Sequence, residues 1–241
     1  MFPRTDYLLH RIWSILVAMS LPQGRVRWAV AALLVAACFA LVSCASSGYN
    51  YVKSSVNSAY LKVPSGWKLY GQKELLSFQR DLSEEQRDRL LDTSWQTAFD
   101  ASPDPSVEHV LSRAAHPAGL AMVSPLSPTD SDGVSDSALR NLFFPVDEAN
   151  NDDRLTVLDY EIVDREGGFH GVHIVARMVV NATSPNQAYE GKAITFEQIA
   201  LVDQERARIY AVAVACSAKC YEKNSGKISQ VVDSWTVKEE N

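Results

Sequence analysis

Phe169-His170-Gly171-Val172-His173-Ile174-Val175-Ala176-Arg177-Met178-Val179-Val180-Asn181 is the stretch that decides the fold. Val172, Ile174, Ala176, Met178 and Val180 recur at every second position, which puts them on one face of a β-strand. Three more runs of strand character accompany it, at 155–164, 191–202 and 207–216. The breaks between them carry Gly167-Gly168, Ser184-Pro185-Asn186 and Asp203-Gln204-Glu205. Such short connections join antiparallel neighbours, because a parallel pair needs a crossover of a dozen or more residues. The 207–216 run has a narrow face of Ala211, Ala213 and Ala215 opposite Tyr210, Val212 and Val214. Small side chains of that kind let a helix pack closely. Beyond it, Ile228, Val231, Val232 and Trp235 fall at i, i+3, i+4 and i+7, the stripe of a core-facing helix from about Ser225 to Trp235. Thr236-Val237-Lys238 is expected to add a short edge strand.

Working back toward the start, Tyr60-Leu61-Lys62-Val63 reads as a strand stopped by the turn signal Pro64-Ser65-Gly66. Trp67-Lys68-Leu69-Tyr70 is a second strand candidate. Ser83-Glu84-Glu85-Gln86 has the form of a capping box and predicts a short helix through about Leu91. Trp95, Thr97 and Phe99 alternate with Gln96 and Ala98, again strand spacing. Residues 101–133 are broken by Pro103, Pro105, Pro117, Pro125 and Pro128, and only Gly119-Leu120-Ala121-Met122-Val123 reads as ordered there. A loop of that length exceeds what a plain connection needs. Ala138/Leu142 and Leu139/Phe143 at i,i+4 predict an amphipathic helix from Ser135 to Phe143. The class is therefore α+β: an antiparallel β-sheet meander flanked by helices.

Val63-Pro64-Ser65-Gly66-Trp67 near the start, and Ile228 to Val237 with Asp233-Ser234-Trp235 at the end, resemble the PsbP-like fold. That fold is named for an extrinsic subunit of photosystem II and is shared by a eukaryotic Ran-binding import factor. The resemblance covers residues 60–238, and actinobacterial exported lipoproteins with such domains look like near kin. It implies a role in binding or assembly, not catalysis.

Upstream of the domain, Trp28 to Val42 is a run of fifteen residues without charge, preceded by Arg25 and Arg27. A membrane-spanning helix needs roughly 20 residues, whereas a signal-peptide core needs 7–15. Leu41-Val42-Ser43-Cys44 then resembles the lipobox of bacterial lipoproteins: aliphatic, aliphatic or small, small, cysteine. The resemblance implies cleavage between Ser43 and Cys44 and a diacylglyceryl thioether on Cys44, a palmitate-type anchor. Two acyl chains hold a protein on a bilayer stably where one does so marginally. The expected organisation is a signal peptide at 1–43, a flexible Ser- and Asn-rich tether at 44–59 and a globular domain at 60–241. The expected address is the extracytoplasmic face of the cell membrane. Ile12 to Met19 forms a second apolar patch, which fits either an extended n-region or a start site assigned too far upstream.

The whole chain has a formal charge of −6, and the leader holds Arg4, Arg11, Arg25 and Arg27 against Asp6, so the remainder is more acidic still. This balance argues against nucleic acid as a partner, since phosphate binding needs a basic face. It also argues against holding the protein on anionic lipid by charge alone. The partners expected are the lipid bilayer, through Cys44, and an envelope protein or cell-wall ligand.

Of the four cysteines, Cys38 leaves with the leader and Cys44 is acylated. Cys216 and Cys220 remain, and outside the cytoplasm they are expected to form a structural disulfide. Two residues alone do not make a zinc site, and a redox motif has two intervening residues where this has three.

Other chemistry-bearing patterns are weak. His170 and His173 are three apart, so on a strand they face opposite ways and cannot share a metal ion. His109 and His116 lie in the Pro-rich loop and read as solvated. Asp130-Ser131-Asp132-Gly133 resembles the start of a calcium loop but lacks the third oxygen ligand and the closing Glu. Ser65-Gly66-Trp67-Lys68 matches Ser-x-x-Lys, yet sits in a turn between strands with no Lys-Thr-Gly partner. Trp67, Trp95 and Trp235 read as core or sheet cover. No catalytic residue, metal ligand or cofactor is assigned. The expectation is a membrane-anchored, non-catalytic binding or assembly domain. The competing expectation is a surface hydrolase whose His170, Asp159 and a loop Ser meet only in three dimensions.

Overall fold

The alternation around Ile174 does produce a strand of a seven-stranded antiparallel sheet, the one next to its edge. In the computed structural model, residues 48–54, 58–110, 115–179 and 193–238 are described. All belong to the second of two units, Met1–Ser46 and Ser47–Asn241. The strands are β1 (Tyr49–Ser54), β2 (Ala59–Pro64), β3 (Lys68–Gly71), β4 (Trp95–Asp100), β5 (Ala118–Pro125), β6 (Leu155–Arg165), β7 (Phe169–Val179), β8 (Ala193–Val202), β9 (Arg208–Ser217) and β10 (Thr236–Val237). The helices are α1 (Gln72–Phe78), α2 (Glu84–Thr93), α3 (Pro128–Gly133), α4 (Asp136–Arg140), α5 (Val146–Asn151) and α6 (Ala218–Asp233). The large sheet runs β3-β4-β5-β9-β8-β7-β6, and a second sheet runs β1-β2-β10. Every pairing is antiparallel. The α+β class expected from the sequence is thus the class observed.

The two faces of β9 do different work. Tyr210, Val212, Val214 and Cys216 pack under Ile228, Val231 and Val232 of α6 and Trp235 just beyond it, together with Leu61 and Val63 of β2. Trp235 also stacks on Trp95, ring centroids 6.3 Å apart. On the other face, Ala213 and Ala215 lie with Val146 and Ala149 of α5, and Ala211 with Leu139 of α4. The alanine face does admit helices closely, and those helices are the short α4 and α5. Buried Gln198 fastens α4 to the sheet by donating to the Leu139 carbonyl at 2.8 Å.

The capping box is present: Ser83 Oγ accepts from Gln86 N while Gln86 Oε1 accepts from Ser83 N. Three boundaries differ from expectation. Tyr49–Ser54, expected within the flexible tether 44–59, forms β1 and pairs with β2 from Tyr49↔Pro64 to Ser54↔Ala59. Its Ser and Asn content hid a strand that is held by its neighbour rather than by its own residues, so the folded region begins before Tyr60. The last helix begins at Ala218, not Ser225, because Ser217 caps it and Asn224 satisfies the Cys220 carbonyl. The Ser135–Phe143 helix closes at Arg140. No helix among the described residues is long and apolar enough to cross a membrane.

Cys216 and Cys220 are joined, with Cα atoms 5.9 Å apart. The bond links the end of β9 to the first turn of α6 inside the apolar core. Replacing both by alanine is expected to cost roughly 2 kcal/mol, the loop-closure entropy of so small a ring. Urea denaturation of the oxidised protein and the double variant measures it. A loss of about twice that size would mean that the bond holds the α6 packing itself and not only the turn.

Candidate functional site

The edge strand β6 is pinned from both faces by histidines of β7. His170 and His173 stand on opposite faces, as their spacing requires. On one face His170 Nδ1 meets Asp164 Oδ1 of β6 at 2.8 Å, and its Nε2 meets Asp136 Oδ1 of α4 at 3.1 Å. On the other, His173 Nδ1 meets Glu161 Oε1 of β6 at 3.3 Å, and its Nε2 meets Glu197 Oε1 of β8 at 3.3 Å. Each ring therefore bridges two carboxylates from different elements. An imidazole that faces carboxylates with both nitrogens can donate to both only as the cation.

Glu197 is the centre of the inner group. Only 1% of the residue is exposed. Its Oε2 accepts from Tyr221 OH at 2.7 Å and from Ser229 Oγ at 2.9 Å, both on α6. Burial first, and then the Glu197 carboxylate, push the Tyr221 phenol upward in pKa. Burial also raises Asp233 above the ordinary carboxylate range, helped by Glu197. The hydroxyl of Ser229 points at Glu197 and not at His173, so the group ties α6 to the sheet and does not form a nucleophile-base pair.

These bonds make the β6 edge sensitive to pH. The bond to Glu197 holds His173 above its ordinary 6.5, and the bond to Asp164 does the same for His170. A raised folded pKa gives stability that is complete below the unfolded value and lost as pH rises through the folded one. Hydrogen exchange of β6 amides, corrected for intrinsic rates, is therefore expected to show weaker protection as pH rises above about 6.5. The variant His173→Gln should flatten that dependence. A protection profile that stays level between slightly acid and alkaline pH would show that the histidines do not hold the edge.

The competing hydrolase arrangement is not assembled. Asp159 pairs opposite Val175, whereas His170 pairs opposite Asp164. The separation along β6 is roughly 17 Å at strand rise. His170 does line a cleft of about 240 Å³ with Ser135, Asp136 and Arg206. Ser135 Oγ there accepts from Ala138 N as the cap of α4. Asp130-Ser131-Asp132-Gly133 is not a calcium loop but most of α3, capped by Ser127 with Pro128 in its first turn. Among the described residues no group of three or more His, Cys, Asp or Glu is placed to hold a metal ion.

His109 is the residue misread as solvated. Its Nδ1 lies 2.7 Å from Asp100 Oδ2, and Asp100 is fully buried. The same carboxylate accepts from Ser102 N and Ser106 N at 2.8 and 2.9 Å. Asp100 thus fixes the start of the Pro-rich segment, which nothing in the local spacing signals. His116 is exposed, as expected. Trp67 and Trp235 are core residues, also as expected. Ser43, Cys44 and the remainder of the leader lie outside the described residues.

β6 also carries most of the exposed apolar surface of the large sheet. Val157, Leu158, Tyr160 and Ile162 are each between 39% and 49% exposed. A register shift between Val157 and Asp159 turns Leu158 out of the ladder. Such strips on an unpaired edge are a template for another strand, and soluble proteins normally blunt them. Neither the lone alternation of β6 in sequence nor its composition shows that it is an edge; the strand order does.

No protein-family model matches the chain, and no curated protein sequence matches it. Solved structures of similar outline do exist. Cyanobacterial PsbP from Synechocystis sp. PCC 6803 is 10% identical, covers 83% of this chain and 99% of its own, and has a TM-score of 0.45. LpqN of Mycobacterium tuberculosis, described as involved in cell envelope biogenesis, is 13% identical over 79% of this chain and 91% of its own, with a TM-score of 0.42. The Ran-binding protein Mog1p of Saccharomyces cerevisiae is 11% identical over 78% of this chain and 95% of its own, with a TM-score of 0.40. At these values the likeness is one of general layout and says nothing about what the chain binds.

Proposed function

We propose that this chain is an exported lipoprotein, anchored to the outer face of the cell membrane through a diacylglyceryl group on Cys44. Its α+β domain is a non-catalytic module that binds an envelope protein. The anchor rests on Arg25 and Arg27, the uncharged run Trp28–Val42 and the box Leu41-Val42-Ser43-Cys44. The observation that carries the binding role is the β6 edge, with Val157, Leu158, Tyr160 and Ile162 open to solvent on a strand that, among the described residues, pairs on one side only. The occupant that fits is an extended protein segment, which satisfies the free backbone groups and covers the apolar side chains at once.

A photo-crosslinking residue at Ile162, in the full chain in its own cells, tests this directly. The same residue at Asp88, exposed on α2, is the control. One envelope protein should be trapped from position 162 and not from 88, and Tyr160→Asp should abolish the adduct. Trapping only a second copy of the chain would make β6 a self-association edge. Equal trapping from both positions would overturn the binding role.

A further inference from the structure

The small sheet has an outer face unlike the rest of the molecule. In β1, Tyr49, Tyr51 and Lys53 fall at alternate positions; in β2, Tyr60 and Lys62 do. The register pairs Tyr51 with Lys62 and Lys53 with Tyr60, so these side chains share one face. The opposite face, Ala59, Leu61 and Val63, is buried in the α6 core. Tyr51 is 63% exposed. Lys62 Nζ stands 5.8 Å from the centroid of its ring. Tyr49 OH donates to Gln230 Oε1 at 2.6 Å, holding that ring over the flank of α6. The strands carry no acid on this face, in a chain whose net charge is −6. The neighbouring carboxylate is Asp233, which borders a hollow of about 450 Å³ with Tyr49, Tyr51 and Lys62.

Three tyrosines and two lysines form an amphipathic surface. Each has an apolar body and a polar tip, the type of side chain that settles at headgroup level of a bilayer. The chain length brings this face to a membrane. Four residues separate Cys44 from Tyr49. The five steps between them reach at most about 18 Å when fully extended. A lipid on Cys44 therefore keeps the start of β1 within that distance of the headgroups. The acidic remainder is repelled by anionic lipid, so this basic aromatic face is the one a negative surface admits.

We infer that the outer face of the β1-β2-β10 sheet seats on the phospholipid surface that holds the anchor, and so fixes the orientation of the domain. The inference rests on the lipidation of Cys44. Orientation of this kind leaves the β6 edge, at one end of the other sheet, to a partner.

Amine acetylation of the full-length, processed protein tests it. The protein is reconstituted in phosphatidylcholine vesicles with and without phosphatidylglycerol, and compared with detergent. Lys53 and Lys62 should be acetylated about threefold or more slowly on the phosphatidylglycerol vesicles. The exposed Lys73 and Lys223 should keep their detergent rates. Tyr51→Ser should shrink the protection of both lysines. Unchanged rates at Lys53 and Lys62, in protein that carries the lipid mass and floats with the vesicles, would overturn the seating alone. Protein without the lipid mass would overturn the anchoring reading, and this inference with it.

Discussion

Glu197→Ala is expected to lower stability by about 3–5 kcal/mol, the range for removing one partner of a buried ionic group. Domains are stable by only about 5–15 kcal/mol, so the loss is a large share of the whole. The variant strands three groups at once: His173 Nε2, the Tyr221 hydroxyl and the Ser229 hydroxyl. Tyr221 and Ser229 sit on α6 while His173 and Glu197 sit on adjacent strands, so the damage falls on the helix-sheet contact. Thermal melting should shift down by roughly 10 °C for a chain of this size. Glu197→Gln keeps an acceptor and should lose less. A melting point for Glu197→Ala close to that of the parent would mean that water replaces the carboxylate, and that the group is not the internal tie described.

Gly171→Ala has the second large effect, about 3 kcal/mol, at the upper end for overpacking. A Cβ at Gly171 would run into the Ala200 carbonyl oxygen and stand 2.8 Å from Leu201 Cα. Both belong to the backbone of β8, which cannot yield without opening the β7–β8 ladder. The glycine is needed for close approach and not for an unusual turn. Gly226 of α6 is the control, because nothing lies within 4 Å of a Cβ built there. Gly226→Ala should stabilise by up to about 1 kcal/mol, since glycine is a poor helix residue. Urea denaturation of the pair checks both signs. Equal effects would show that β7 and β8 are not packed as described.

What the sequence makes legible follows from where each signal resides. β7 and β9 announce themselves because their faces differ residue by residue: Val172, Ile174 and Ala176 in one, the alanines against Tyr210, Val212 and Val214 in the other. The Ile228–Trp235 stripe is equally local. β1 is not legible, because Tyr49 and Tyr51 alternate within Ser- and Asn-rich surroundings and owe their strand to pairing with β2. α3 is not legible either, because Pro-Thr-Asp-Ser-Asp-Gly has turn composition and is helical only through the Ser127 cap and the proline start. The disulfide partners are legible once Cys38 and Cys44 are read as belonging to a leader and its anchor. The Glu197 group was not. His173, Glu197, Tyr221 and Ser229 come from two strands and a helix, and no spacing in the chain connects them. The role of Asp100 under the Pro-rich segment belongs to the same kind, since it depends on backbone amides of Ser102 and Ser106.

The most direct test of the anchored-domain reading is the mass and membrane partition of Cys44→Ser beside the parent. The parent should run as residues 44–241 plus a diacylglyceryl group and remain with the membranes. The serine variant has no thiol to acylate, so it should keep residues 1–43 or be cleaved elsewhere, and never gain the lipid mass. A variant that is processed like the parent and stays equally membrane-bound would contradict the anchor, and with it the placement of the β1-β2-β10 face on lipid.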